Sequence, residues 1–160
     1  MDENIVVLKL FLDELGMSPE IRSVADRKRI QKAVYLGQLS GVDLGYRYGW
    51  HIMGPYSVSL TRDYYALDEI LRTKKSPSKK WELGPSIRRH LREIKGLLIP
   101  PAKIDIKQED WLELLSSVHF LTKISGLKKA DTDITIRREK NHLSKYINDG
   151  RSALKTYDLI

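Results

Sequence analysis

The residues able to do chemistry are few and scattered. Four histidines, His51, His90, His119 and His142, fall on different predicted elements, and no two have the spacing of a helical metal site. The 160 residues contain no cysteine, which removes disulfides, thiolate zinc sites and cysteine nucleophiles together and fits a reducing cytoplasm. Serine hydrolysis would need a nucleophile, a base and an oxyanion hole, and no Gly-x-Ser-x-Gly elbow is present. Ser57 follows Gly54-Pro55-Tyr56, and His51 stands on the strand before it. A Ser57–His51 pair is the nucleophile candidate, set against the plainer reading of Ser57 as a helix cap. Asp68-Glu69 and Glu109-Asp110 are adjacent on helices and point apart, so they do not converge as an acid–base pair. Gly41, Gly45 and Gly49 are spaced across a turn and a strand and make no phosphate-cradling loop. The expectation is a binding protein rather than an enzyme, with no catalytic residue, cofactor or metal.

Charge says more. The chain carries 28 Lys or Arg and 21 Asp or Glu, a net charge of +7. Between Arg72 and Lys103 ten basic residues face only Glu82 and Glu93, a local charge of +8; the remainder, with 18 basic and 19 acidic residues, stands at −1. The excess is therefore local. Lys74, Lys75, Lys79 and Lys80 lie in a polar stretch, Thr73 to Lys80, that reads as a loop, and Arg88, Arg89 and Arg92 lie on a helix, with Trp81 between them. Such a surface attracts polyanions or an acidic protein through its summed field, unless it is a solvated face with no partner. Phosphate contacts from it would give salt-sensitive, largely sequence-independent affinity for DNA. Tyr46, Tyr48, Trp50 or Trp81 could stack on single strands, although the strand tyrosines and Trp50 fit a core better.

The elements that would position these residues follow from periodicity. Glu3 to Leu15 places Ile5, Leu8, Leu12 and Leu15 on one helical face, and Gly16 is a natural stop. Arg27 to Ser40 is a second helix along Ile30, Ala33, Val34 and Gly37. Asp26 as its N-cap would set Arg27-Lys28-Arg29 at the positive end of the macrodipole, which either shifts the start or implies that the three face an anionic partner. Gly37 inside that helix costs about 1 kcal/mol relative to Ala and predicts close approach by another backbone. Tyr46 to Met53 alternates as a strand, with Tyr46, Tyr48, Trp50 and Ile52 on one face. Gly54-Pro55-Tyr56-Ser57 is a corner, and Ser57 or Ser59 caps a helix carrying Leu60, Tyr64, Leu67 and Leu71. Trp81-Glu82-Leu83 can form a short strand pairing with 46–53. Gly84-Pro85 opens a helix along Ile87, Leu91, Ile94 and Leu98, which Pro100-Pro101 ends. Further helices are predicted over Gln108 to Ser125, over Thr132 to Lys140, and after Ser144 as a cap.

The helix centre Gln31-Lys32-Ala33-Val34-Tyr35-Leu36, the aromatic strand, and Gly54-Pro55-Tyr56-Ser57 with Leu60 three residues on resemble the YwgA-like proteins, relatives of the Panacea domain of SocA-type antitoxins. The likeness covers about residues 3 to 73, with a weaker continuation in the helix at 110–123. It implies a mainly helical protein with a small sheet, and a binding role as antitoxin or adaptor in a mobile-element or phage-defence setting, without catalysis. It supplies no catalytic residues. The Lys74–Lys80 stretch and the long C-terminal part depart from Panacea antitoxins, which favours the YwgA-like side.

The expected fold is α+β and predominantly α-helical: a helical bundle with a small antiparallel sheet and a winged-helix-like core. Residues 1–101 form the core domain, and 102–160 a helical subdomain packed on it. The expected partner is an acidic protein, whether toxin, protease or defence component; the alternative is a winged-helix-like DNA-binding regulator using residues 72–95. No run approaches the roughly 18 apolar residues of a membrane span, and the acidic start Met1-Asp2-Glu3-Asn4 does not open like a signal peptide, so a cytoplasmic protein without membrane contact is expected.

Overall fold

The computed structural model describes residues 2–73 and 81–160. The loop lysines Lys74, Lys75, Lys79 and Lys80 lie outside the described residues. Within them the chain runs α1 (Glu3–Leu15), α2 (Val24–Gln38), β1 (Gly49–His51), β2 (Gly54–Tyr56), α3 (Val58–Arg72), α4 (Pro85–Lys95), α5 (Gln108–His119), α6 (Lys129–Glu139) and α7 (Ile147–Thr156). The protein is α+β and predominantly helical, with one small antiparallel sheet. No described helix is long and apolar enough to cross a membrane.

Helix α5 is the axis of the bundle. Its Trp111, Leu112, Leu114, Leu115 and Val118 have no exposed surface. It packs against α2 on one side and α7 on another, and one cluster of buried side chains joins residues on both sides of position 101. Each Leu-sized side chain buried this way contributes about 1.5–3 kcal/mol. The one polar atom of the Trp111 side chain is satisfied, since Nε1 donates to the Leu97 carbonyl at 2.9 Å.

Local structure follows the sequence except where tertiary partners decide. Helix α1 has the expected bounds; Asp2 caps it and left-handed Gly16 ends it. Helix α2 starts earlier than Asp26. Ser23 is the N-cap and Asp26 is the third helical residue, each side chain bonding the other's backbone amide in a capping box. Arg27, Lys28 and Arg29 are therefore in the second turn, beyond the positive end of the dipole. Gly37 is approached by a side chain, not a backbone: a Cβ there would lie 2.5 Å from the Phe11 ring of α1.

The strand expected over 46–53 is reduced to Gly49–His51, and its partner is Gly54–Tyr56, with Trp50 opposite Pro55. The turn falls at Ile52-Met53, so Ile52 leaves the inner face and is 92% exposed. Tyr46, Tyr48 and Trp50 keep the inward alternation. Trp81-Glu82-Leu83 forms no strand; Trp81 and Glu82 are exposed and only Leu83 is buried. The wing pairing that a winged-helix-like core requires is thus absent among the described residues, because the hairpin pairs within its own short stretch of chain. Helix α6 begins at Lys129, earlier than Thr132. Ser144 does not cap α7: it lies in the 3-10 turn before it and donates to the Asn141 carbonyl.

Candidate functional site

The two sequence motifs that carry the resemblance meet in space. On α2, Gln31 and Lys32 are buried within an otherwise apolar run. The Gln31 amide clamps the backbone of Ser57 from both directions: Oε1 accepts from the Ser57 amide at 2.9 Å, and Nε2 donates to the Ser57 carbonyl at 2.9 Å. The Lys32 Nζ donates to the Pro55 carbonyl at 2.5 Å. From the far side, Lys140, just after α6, donates from Nζ to the Ile52 carbonyl at 2.8 Å. Gly54 sits between these clamps at φ +91°, and a Cβ there would come within 2.7 Å of Ser117 Oγ on α5. The glycine is required by both dihedral and space. Ser57 Oγ then accepts from the Leu60 amide at 3.3 Å and caps α3.

Beneath the corner lies a buried charge system shared by α2, α5 and Lys140. Glu113 is 2% exposed. Its Oε1 accepts from Lys28 Nζ at 2.8 Å and its Oε2 from Lys140 Nζ at 2.7 Å. Lys28 also donates to Asp110 at 2.8 Å, and Arg29 bridges Asp26 and Glu109. Burial pushes the Glu113 carboxyl up, but the hydrogen bonds from Lys140 and Lys28 outweigh it and hold the group below the ordinary carboxylate range. Lys28 shows the complement: burial draws its ammonium down, and Asp110 and Glu113 more than restore it. Lys32 is different. It is 1% exposed and no carboxylate among the described residues hydrogen-bonds it, so burial pulls its amine down to about 7, with Glu113 opposing and Lys140 and Lys28 adding repulsion. Further along the same interface Tyr35 Oη meets His119 Nδ1 at 2.7 Å. Burial lowers the imidazole to about 4, with Lys123 adding to it, so the ring is neutral and shares one hydrogen bond with the tyrosine whose direction follows the tautomer.

Above Lys32 the surface opens into a cleft of about 200 Å³ between the start of α2, the hairpin and α3. Its polar lining is Arg27, Lys28, Gln31, Lys32 and Thr61; Tyr56, Tyr64 and Tyr65 form aromatic walls, and Val24 and Met53 stand at its edge. No carboxylate among the described residues lines it. Exposed apolar side chains gather at its rim: Val24 is 52% exposed, Met53 43% and Tyr65 50%, with Ile52 next along the turn.

The other candidates are placed as follows. Ser57 is fully buried, its hydroxyl is bonded to the Leu60 amide and Ser59, and exposed His51 turns its ring to Tyr56 at 4.9 Å, so the two do not form a nucleophile–base pair. On α4, Arg89 and Arg92 are exposed, but Arg92 is held by Glu14 of α1 at 2.6 Å. Arg88 is half-buried with its Nε enclosed and without a hydrogen-bond partner among the described residues. Trp81 is 61% exposed. Tyr48 and Trp50 are engaged inward: Tyr48 Oη donates to the Gln31 carbonyl, and Trp50 packs on Phe120 under the Lys140 ammonium.

Sequence reasoning passes over Lys32, Glu113 and Lys140 as site residues. Two carry a signal, a lone charge within an apolar helical run: Lys32 in Ile30–Leu36 and Glu113 in Trp111–Val118. Lys140 follows the end of a helix and has no such mark. The anionic partner that Arg27-Lys28-Arg29 imply is internal for two of the three. Asp110, Glu113 and His142 converge as closely as three metal ligands would, but the Lys28 and Lys140 ammoniums already occupy the two carboxylates and repel a cation. No protein-family model matches the chain, and neither a curated protein nor a solved structure does.

Proposed function

We propose that the chain is a non-catalytic binding module, antitoxin-like or adaptor in role, of the kind that its resemblance to YwgA-like and Panacea proteins implies. The observation that carries this reading is the use of the motif residues. Gln31, Lys32, Gly54 and Ser57 are all spent on holding one backbone corner rigid. What that corner presents outward is apolar: Ile52 at 92% exposure and Val58 at 71%, with Met53 and Tyr65 between the hairpin and α3. A rigid platform carrying clustered apolar side chains suits a protein partner, since surface apolar groups that cluster mark interaction sites. Anchors held in place before binding also lose little freedom on association.

The test pairs two measurements on the full chain. Affinity capture from the native host is run with the wild type and with an Ile52→Asp/Val58→Asp double variant; the expected result is a partner retained by the first and lost by the second. In parallel, fluorescence anisotropy with random duplex and single-stranded DNA is followed at several salt concentrations, together with a variant in which Lys74, Lys75, Lys79 and Lys80 are changed to Ser. No DNA binding at moderate salt is expected. Steeply salt-dependent binding that the serine variant loses would overturn the protein reading in favour of a DNA-binding regulator, for which exposed Arg89 and Trp81 speak.

A further inference from the structure

The cleft above Lys32 has a charge balance unlike that of the ion-paired interface beside it. Arg27, Lys28 and Arg29 are consecutive, and the second and third are matched by carboxylates of α5 and by Asp26. Arg27 is not. Its hydrogen bond runs from Nη1 to the Ile21 carbonyl at 2.8 Å, and no carboxylate among the described residues pairs with it. A guanidinium bound only to a carbonyl keeps its full charge and its remaining donors. At the base of the same cleft Lys32 gives one hydrogen bond to a carbonyl and likewise lacks a carboxylate among the described residues. Arg27 and Lys32, two basic side chains to which no described carboxylate bonds directly, thus share a concave site that no described carboxylate lines, with Glu113 acting on Lys32 only through its field.

The walls limit what anion fits. Tyr65 and Met53 offer apolar surface at the mouth, and Tyr56 and Tyr64 close the sides. A volume of about 200 Å³ holds one side chain rather than a folded element. An anion bare of apolar surroundings would leave that rim wet. An acidic side chain within an apolar stretch would satisfy both parts: its carboxylate is met by Arg27, and its neighbours cover Val24, Met53 and Tyr65.

Resting on the protein-binding reading above, we propose that this cleft receives an aspartate or glutamate side chain of the partner, flanked by apolar residues, with Arg27 as its principal anchor. Bidentate recognition of a carboxylate by arginine gives direction as well as affinity. The basic lining of the cleft selects an acid, and the rim selects its context.

Selection of randomised peptides on the immobilised full-length chain tests this whatever the native partner is. The expected result is enrichment of peptides carrying Asp or Glu beside large apolar residues. Enriched peptides should bind Arg27→Gln at least about tenfold more weakly, the scale of one charge-assisted hydrogen bond. Tyr65→Asp should weaken them similarly, by placing a carboxylate at the mouth. Tyr65 is half exposed, and the urea midpoint of the variant checks that it is folded. Changing the selected acid to its amide should reproduce the Arg27→Gln loss. Enrichment without acidic residues, enrichment no better than background, or peptides indifferent to both variants would overturn the proposal. Binding of a single-stranded oligonucleotide that Arg27→Gln abolishes would also overturn it. Failure here, with a native partner still captured through Ile52 and Val58, would remove the cleft and leave the binding-module reading standing.

Discussion

Glu113 is a carboxylate with two ammoniums on it and almost no water. The attraction within such a group is set against the cost of desolvating every member, so its net contribution is small while all are present. The asymmetry appears when one is removed. Glu113→Gln keeps the shape but loses the charge and one acceptor: its amide oxygen can serve one lysine while its NH2 faces the other, which is left buried without a carboxylate at that position. A loss of about 3–5 kcal/mol is expected in chemical denaturation. Glu109→Gln is the control on the same helix. It removes one of the two partners of Arg29 at the partly exposed edge, where ion pairs are worth about 0–1 kcal/mol. Equal losses for the two variants would show that the buried trio does not hold α2, α5 and the hairpin together.

At the scale of elements the unit is the hairpin and its clamp. Gly54→Ala meets two penalties, a left-handed dihedral worth about 1–2 kcal/mol and a close contact with Ser117 Oγ. Gln31→Leu removes both bonds to Ser57; the carbonyl keeps the Thr61 amide and hydroxyl, but the buried Ser57 amide is orphaned, a cost of about 1–3 kcal/mol. Both variants should lower the denaturation midpoint and expose the β2–α3 junction to amide hydrogen exchange; unchanged protection at Leu60 would mean that the corner does not depend on its clamp. These devices explain what is legible in the sequence. Helical periods, the Ser57 cap and Gly16 are local, so spacing alone locates α1 and α3. The strand at 81–83 fails because β-pairing goes to the partner nearest along the chain, and Gly54–Tyr56 lies next to β1. The start of α2 is missed when a single acidic cap is chosen over a reciprocal pair, Ser23 with Asp26. The site is half legible: Gly54–Ser57 stands out, but the Gln31–Ser57 clamp spans 26 residues, and a glutamine's partners leave no periodic trace.

For the whole molecule the buried titratable groups add up to an unusual pH dependence. His119 binds its proton at about 4 in the folded protein against an ordinary 6.5, so between those values the unfolded chain holds more protons and stability rises with pH. Lys32 repeats this higher up, with about 7 folded against 10.5 unfolded, so stability continues to rise from pH 7 towards 10. One group contributes at most about 1.4 kcal/mol per pH unit within its window. Two further effects enter at the ends, Glu113 in the same direction as His119 and Tyr48 against the trend. The stability that Glu113 gains from its lysines is lost as acid protonates it, and buried Tyr48, whose phenol is pushed up, destabilises the fold once the unfolded chain ionises above about pH 10. The maximum is therefore displaced from the common range of about pH 5–8 to the alkaline side. Urea unfolding at about pH 6, 7.5 and 9 should give midpoints that increase throughout. Lys32→Met carries no titrating amine and should flatten the step from about pH 7.5 to 9 while leaving the acid limb, which belongs to His119 and Glu113, in place. A wild-type midpoint that falls between those two alkaline values would mean that Lys32 finds counter-charge in solution beyond the pull of Glu113, and that burial does not depress the amine at the base of the cleft.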